Sequence, residues 1–236
     1  MERDPFHHER ILRSAAYVPG ATKGARLVDV GTDPVVLHVI AETAGYEEPE
    51  GVDLSADKGP SWSASVDGLG AAREYRIHNV DIERQRLPFD DASVDVVTSF
   101  ETLEHLLDPM HFLVEVNRIL KVGGTLVLTT PNAISWRSML RGAMHKHPLL
   151  FPFLARDLNT NRHNIEYIPS MVRAMMKGAG FEGEVSTREW WYHIPWWQKA
   201  RLMVVGFRPG DRGDIIVVKV QKRAAPSVRY PPEVYL

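Results

Sequence analysis

Short apolar runs alternate with helical segments along the first half of the chain, and this alternation constrains the fold more than any other feature. "RLVDVG", "EGVDL", "EYRIHNV", "SVDVVTSF" and "GTLVLTT" read as strands. The helical "DPVVLHVIAETA" follows the first of them. A second helix, "PMHFLVEVNRIL", separates the last two, with Pro109 in its first turn and the glycines of "KVGG" as its stop. Residues 7 to 18 predict a further helix ahead of the first strand, with Ile11, Leu12, Ala15 and Ala16 on one side. Strands alternating with helices imply a parallel sheet covered on both faces. After "TTPN" the rhythm breaks. Residues 133–166 are rich in Arg, His, Asn and Phe and are long for a connector, so they read as an insertion over one edge that forms part of an acceptor site. The pattern resumes with the helix "PSMVRAMMKGAG", a strand around "FEGEVSTREWW", a segment near 198–207 and a last strand "DIIVVKVQKR". Residues 1–236 therefore read as a single α/β domain around a mostly parallel, seven-stranded sheet.

Composition narrows the function classes. A chain of 236 residues that is 44% hydrophobic and 25% charged is ordinary for a soluble globular protein with a full core. Its net charge of -2 and the lack of a long basic run argue against a nucleic-acid partner. With no cysteine, disulfides, thiolate catalysis and thiolate zinc sites are all excluded. The charged start "MERDPFHHER" has no apolar signal core, and no run approaches the ~18 apolar residues of a membrane span. A cytoplasmic protein without a membrane partner is the expectation.

In open α/β sheets, ligands bind outside the carboxyl ends of the strands, where strand order reverses. The residues ending the predicted strands are Gly31, Asp53, Asp81, Glu101 and the Pro131-Asn132 pair. Around them the stretch "DIERQRLPFDDASVDVVTSFETLEHLLDPMHFLVEVNRILKVGGTLVLTTPN" resembles the class I S-adenosylmethionine-dependent methyltransferases, and the likeness extends over roughly residues 20–185. It implies a Rossmann-like fold and S-adenosyl-L-methionine as cofactor. By the same likeness Asp53 binds the ribose hydroxyls, a task suited to a carboxylate that accepts from both. Asp81 lies beside the adenine amino group, Ile82 packs on the ring, and Gly31 and Phe100 complete the set. One departure stands out. The family's first loop carries three glycines at alternate positions, but "VDVGTDPVV" keeps only Gly31, with Asp33 and Val35 at the other two. Either the loop takes another route or cofactor binding weakens, as in a non-catalytic cofactor-binding homologue. The NAD fingerprint fits worse, since it also needs the missing glycines.

The stretch "ETLEH" puts two carboxylates and an imidazole into five residues. As a helix start it would stack Glu101, Glu104 and His105 on one face, where two acids repel unless a positive group lies between them. Taken alone, Glu101 would favour the helix dipole and the others would be solvated. Together with "RHNIEY", the full set resembles the metal motif of small-RNA 2′-O-methyltransferases and of ubiquinone-pathway catechol O-methyltransferases. That resemblance implies a divalent cation, Mg²⁺ or Mn²⁺, held by Glu101, Glu104, His105 and His163. Such a cation acidifies a hydroxyl, and its open positions suit a vicinal diol. Catalytic roles accordingly fall to Glu104 and His163, with His145 of "HKHPLL" as a candidate general base.

Three acceptors compete. An RNA 3′ end calls for a basic groove, which the charge does not supply. A catechol would fit an apolar pocket lined by "LLFPFLA". A saccharide suits both the diol-oriented cation and the cluster "REWWYHIPWW", whose indole faces stack on sugar rings. A saccharide is the expectation, and the chain has a general likeness to mannoside O-methyltransferases of methylmannose polysaccharide assembly. The same tryptophans would equally serve as core or homodimer packing.

Overall fold

Local chemistry sets the helix boundaries. Asp33 accepts a hydrogen bond from the Val35 N–H at 2.8 Å, Pro34 occupies the first turn, and Gly45 ends the helix at φ 80° (α2, Pro34–Ala44). Asp108 caps α3 (Pro109–Ile119) by accepting from the His111 N–H at 3.0 Å. An amphipathic helix, α1 (Pro5–Ala15), precedes these two, and α4 (Trp136–Ala143), α5 (Pro169–Gly178) and α6 (Trp196–Val204) follow. The structure, a computed structural model, describes residues 5–67, 72–143, 163–190, 195–204 and 210–227.

Eight strands form one sheet: β1 (Leu27–Val30), β2 (Glu50–Asp53), β3 (Ser61–Val66), β4 (Arg73–Asn79), β5 (Val94–Phe100), β6 (Leu120–Pro131), β7 (Phe181–Arg188) and β8 (Ile215–Lys222). Their order is β3-β4-β2-β1-β5-β6-β8-β7. The central pairs β4–β2, β2–β1, β1–β5 and β5–β6 are parallel, whereas β3–β4, β6–β8 and β8–β7 are antiparallel. The mostly parallel, Rossmann-like sheet expected from the sequence is present, with one strand more than the seven read there. The additional strand is β3, "SWSASV". It lies on an edge and buries only Val66, so its serine-rich alternation carries no apolar period to detect. A second difference concerns "KVGG". The helix ends at Ile119, before those glycines, and the segment becomes the irregular start of β6, where pairing with β5 shifts register.

Two cores sandwich the sheet. One joins α1 and α2 to Leu27, Tyr75 and Val96. The other joins α3 and α5 to Val28, Val30, Val97, Leu126 and Leu128. Neighbouring strand residues such as Leu27 and Val28 point into opposite cores, as the period of two requires. No helix among the described residues is long and apolar enough to cross a membrane.

Leu113 on α3 is fully buried in the second core. Its replacement by alanine should lower the unfolding free energy by about 2–5 kcal/mol, read from urea denaturation with an unchanged m-value. A loss below about 1 kcal/mol would contradict this packing.

Candidate functional site

The strand order reverses between β1 and β5, and the carboxyl ends of these two strands meet there. Gly31 follows β1 at φ 74°, and its N–H donates to the Val52 carbonyl at 2.8 Å. A Cβ at this position would lie 2.2–2.9 Å from the side chain of Thr102, so only glycine fits. Neither of the two positions that lack glycine requires one for its own backbone: Asp33 has an ordinary extended conformation and caps α2, and Val35 is buried in the first core. The start of α2 is closed by a carboxylate of the chain itself.

Beneath the loop lies a group the sequence did not single out. Asp29 on β1 is buried and accepts from the hydroxyls of Thr98 at 2.6 Å and Thr32 at 2.7 Å. Burial pushes its carboxyl up to about 7, against the two hydroxyl donors, with Asp33 and Asp53 adding repulsion. Asp53 ends β2 half-buried. Burial raises its pKa, the Leu54 N–H opposes that shift, and Asp33 adds to it. Three carboxylates thus face one another where the first two strands end.

The remaining candidates for the cofactor site follow the same edge. Asp81 comes just after β4, its carboxylate accepts from the Glu83 N–H at 3.1 Å, and Arg84 lies 3.7 Å away. It caps a turn rather than an α-helix. Ile82 packs on the second core and Phe100, the last residue of β5, on the first.

The acidic turn departs from the predicted helix start. "ETLEH" forms only a single 3-10 turn, Leu103–His105, and Glu101 stands outside it with φ 54°. Glu101 and Glu104 are therefore not stacked on one helical face. The positive group beside Glu101 is Arg10 of α1, whose Nη1 donates to Oε2 at 3.3 Å. Burial raises the Glu101 pKa, Arg10 opposes the shift, and Asp214 reinforces it. Glu104 is 2% exposed, accepts from the Thr130 hydroxyl at 2.9 Å, and is held well above the usual carboxylate range by burial and then by the Glu101 charge.

Glu104, His105 and His163 come together. Each offers one ligand atom, and these atoms all lie within 4.8 Å of one another. The imidazoles of His105 and His163 meet edge to face with centroids 5.1 Å apart. Burial, then the charges of His105 and Arg10, pull His163 down to about 4, so it is neutral at pH 7. The backbone fixes this geometry, because the Asn164 N–H donates to the Glu104 carbonyl at 2.7 Å and Asn164 Nδ2 donates to the His105 carbonyl. Of the four ligands expected from sequence, three converge, and Glu101 lies beside them engaged with Arg10. His145 falls outside the described residues. The sequence missed Arg10, which lies outside the resembling stretch, and Thr130, which lies within it but gave no sign of reaching Glu104. Asp29 was visible within "VDVG" but gave no signal of burial.

The two flanks of the segment read as an insertion meet at this edge, where Asn132 bridges Tyr167 and the Ala133 N–H donates to the Tyr167 carbonyl at 2.9 Å. Trp190 follows β7 and accepts at its carbonyl from Arg13 of α1. Its N–H donates to Asp214 at 2.8 Å, and its ring sits 6.3 Å from Tyr17. Trp196 and Trp197 on α6 are 78% and 44% exposed, while Trp191 and Tyr192 lie outside the described residues.

Comparison with known proteins gives this arrangement its family. Residues 4–185 match the methyltransferase domain model Methyltransf_23. A "Probable S-adenosylmethionine-dependent methyltransferase" of Mycolicibacterium smegmatis is 34% identical over 150 residues, 60% of this chain and 51% of that protein. The ubiquinone biosynthesis O-methyltransferase of Maricaulis maris is 29% identical over 159 residues, covering 67% and 59% of the two chains. The chain spans about half the length of the first of these relatives. Among solved structures, an S-adenosylmethionine-dependent methyltransferase from Mesorhizobium loti superposes with a TM-score of 0.57 at 18% identity, over 89% of this chain and 95% of that one. A SAM-dependent methyltransferase from Archaeoglobus fulgidus does so with a TM-score of 0.58 at 15% identity, over 90% and 91%. The chain belongs to the methyltransferase-domain family, of the class I S-adenosylmethionine-dependent type.

Folding raises Asp29 from 3.8 to about 7. Its contribution to stability is therefore complete below about pH 4 and is lost as pH rises through 7. Relative to Asp29→Asn, the wild type should lose on the order of 4 kcal/mol of unfolding free energy between about pH 4 and pH 8. Urea titrations across that range would measure it, and parallel profiles for the two proteins would contradict the burial of an ionisable acid here.

Proposed function

We propose that the chain transfers a methyl group from S-adenosyl-L-methionine to one hydroxyl of a saccharide vicinal diol, with a divalent cation at the site. The observation that carries this reading is the convergence of Glu104, His105 and His163 within 4.8 Å at the carboxyl edge of the sheet. A carboxylate and two imidazoles suit Mn²⁺ or Mg²⁺, and the second oxygen of Glu101, buried without a hydrogen-bond partner among the described residues, is a candidate fourth donor. When bound, such a cation would lower the pKa of an acceptor hydroxyl and orient it.

The side chains have the remaining tasks. Gly31 lets the chain come close to the cofactor, Asp53 accepts from the ribose hydroxyls, Asp81 faces the adenine edge, and Ile82 and Phe100 supply apolar contact. The carboxylates of Asp29, Asp33 and Asp53 favour a ligand with a positive sulfonium. During transfer the O–CH₃ bond forms as the S–CH₃ bond breaks, the hydroxyl proton leaves to a base, and the cofactor departs neutral at sulfur. His163, held neutral by burial, is suited to act as a ligand, and its depressed pKa makes it a weak base. His145 is the alternative base, within an insertion whose ends flank Glu104.

Support for a saccharide comes from the exposed indoles of Trp196 and Trp197. A net charge of -2 disfavours an RNA end. A catechol-like acceptor is the second reading, favoured by the ubiquinone biosynthesis O-methyltransferase among the relatives.

Titration calorimetry should show S-adenosylhomocysteine binding to the wild type and a roughly ten- to hundred-fold loss in Asp53→Ala, the worth of a charged hydrogen bond. No binding by the wild type would reduce the chain to a family member without cofactor. With labelled cofactor and a panel of glycosides, catechols and short RNA, glycosides with free vicinal diols should be methylated. EDTA should abolish turnover and Mn²⁺ or Mg²⁺ restore it, while Glu104→Gln loses turnover but keeps S-adenosylhomocysteine affinity. Full activity in EDTA would overturn the cation, and preference for a catechol or RNA would overturn the acceptor.

A further inference from the structure

The cation facing Glu101 belongs to the chain itself, and it comes from an element that carries none of the motif. Arg10 lies on α1, 91 residues before Glu101, and their side chains are only 22% and 10% exposed. Two further contacts seat the segment that carries it. Arg13 Nη1 donates to the Trp190 carbonyl at 3.3 Å, and Arg188 Nε donates to the Tyr17 hydroxyl at 2.7 Å.

Glu101 is placed with equal care. Its φ of 54° is rare for any residue but glycine, and its N–H donates to the Thr129 carbonyl at 3.0 Å. One carboxylate oxygen meets Arg10, and the other is buried with no hydrogen-bond partner among the described residues. The charge of Arg10 is felt at Glu101, Glu104 and His163 alike.

We propose that Arg10 is the residue that sets cation occupancy of the site: its guanidinium and a divalent cation compete for Glu101. While Arg10 holds Glu101, the cluster offers Glu104, His105 and His163 as ligands with a like charge nearby. When Glu101 turns to the cation it becomes the fourth ligand, and its contact with Arg10 is given up. Arg10 is a positioning residue, acting through Glu101 rather than on the reacting atoms. The inference rests on the metal reading above, and its test separates the two.

Mn²⁺ would be titrated into the cofactor-free full chain by calorimetry, with electron paramagnetic resonance of free Mn²⁺ as an independent readout. Arg10→Gln should bind Mn²⁺ roughly ten-fold more tightly than the wild type, because a like charge is removed and Glu101 released. Arg10→Lys, which keeps the charge, should stay near the wild-type affinity. Glu101→Gln alone should weaken Mn²⁺ binding, since it removes the fourth ligand and leaves the Arg10 charge uncompensated, and most of the gain should vanish in the Arg10→Gln, Glu101→Gln double variant. Arg10→Met is a second neutral variant should Arg10→Gln not fold, and S-adenosylhomocysteine affinity checks the fold of each protein. Equal Mn²⁺ affinity in wild type and Arg10→Gln, or a gain undiminished in the double variant, would overturn the competition while leaving the metal reading intact. Failure of every variant to bind Mn²⁺ would overturn both.

Discussion

Two carboxylates withdrawn from water within one short turn are the constraint on which this site depends. Taking an ionised acid out of water costs several kcal/mol unless charge and hydrogen bonds compensate, and Glu101 and Glu104 also repel each other. Partial compensation comes from the Thr130 hydroxyl on Glu104 and the Arg10 guanidinium on Glu101. Both acids still remain above their ordinary pKa. Such a pair is expensive as scaffolding and useful for binding something positive. In the proposed reading, the two imidazoles beside Glu104 would complete the donor set for that positive group.

The fold explains why such an arrangement can be held. Parallel strands end in register at one edge, so residues distant in sequence meet there without long loops. Gly31 permits β1 and β5 to approach at the reversal point, and Thr102 fills the space its missing side chain leaves. The acids Asp29, Asp33 and Asp53 lie on one side of that point and the Glu104, His105 and His163 cluster on the other. In the proposed reaction between a sulfonium and a hydroxyl, cofactor and acceptor would meet along this edge.

Much of this was legible in the sequence because it is carried by strong local signals. The buried strands are apolar runs, and their last residues, from Gly31 to Pro131-Asn132, fall where the α/β rule places ligands. His163 was paired with Glu104 and His105 through the likeness of "RHNIEY" to a known motif, and the three do converge. What escaped was set by tertiary contacts alone. β3 is an edge strand whose polar alternation looks like loop. "ETLEH" has helical spacing, but Glu101 takes a left-handed backbone conformation and only Leu103–His105 turn, so spacing predicted the wrong geometry for these residues. Arg10 reaches Glu101 from a helix with no motif, and no local pattern could have announced it. The loss of two loop glycines looked like damage, yet Asp33 needs no special backbone and caps α2.

The central claim, that Glu104, His105 and His163 form a cation centre, is tested most directly by crystals grown with Mn²⁺ and S-adenosylhomocysteine and measured at the manganese edge. The account predicts one anomalous peak about 2.0–2.3 Å from a Glu104 oxygen and from a nitrogen of each of His105 and His163. Well-ordered side chains at these three positions, with cofactor bound and no anomalous density among them at millimolar Mn²⁺, would contradict it.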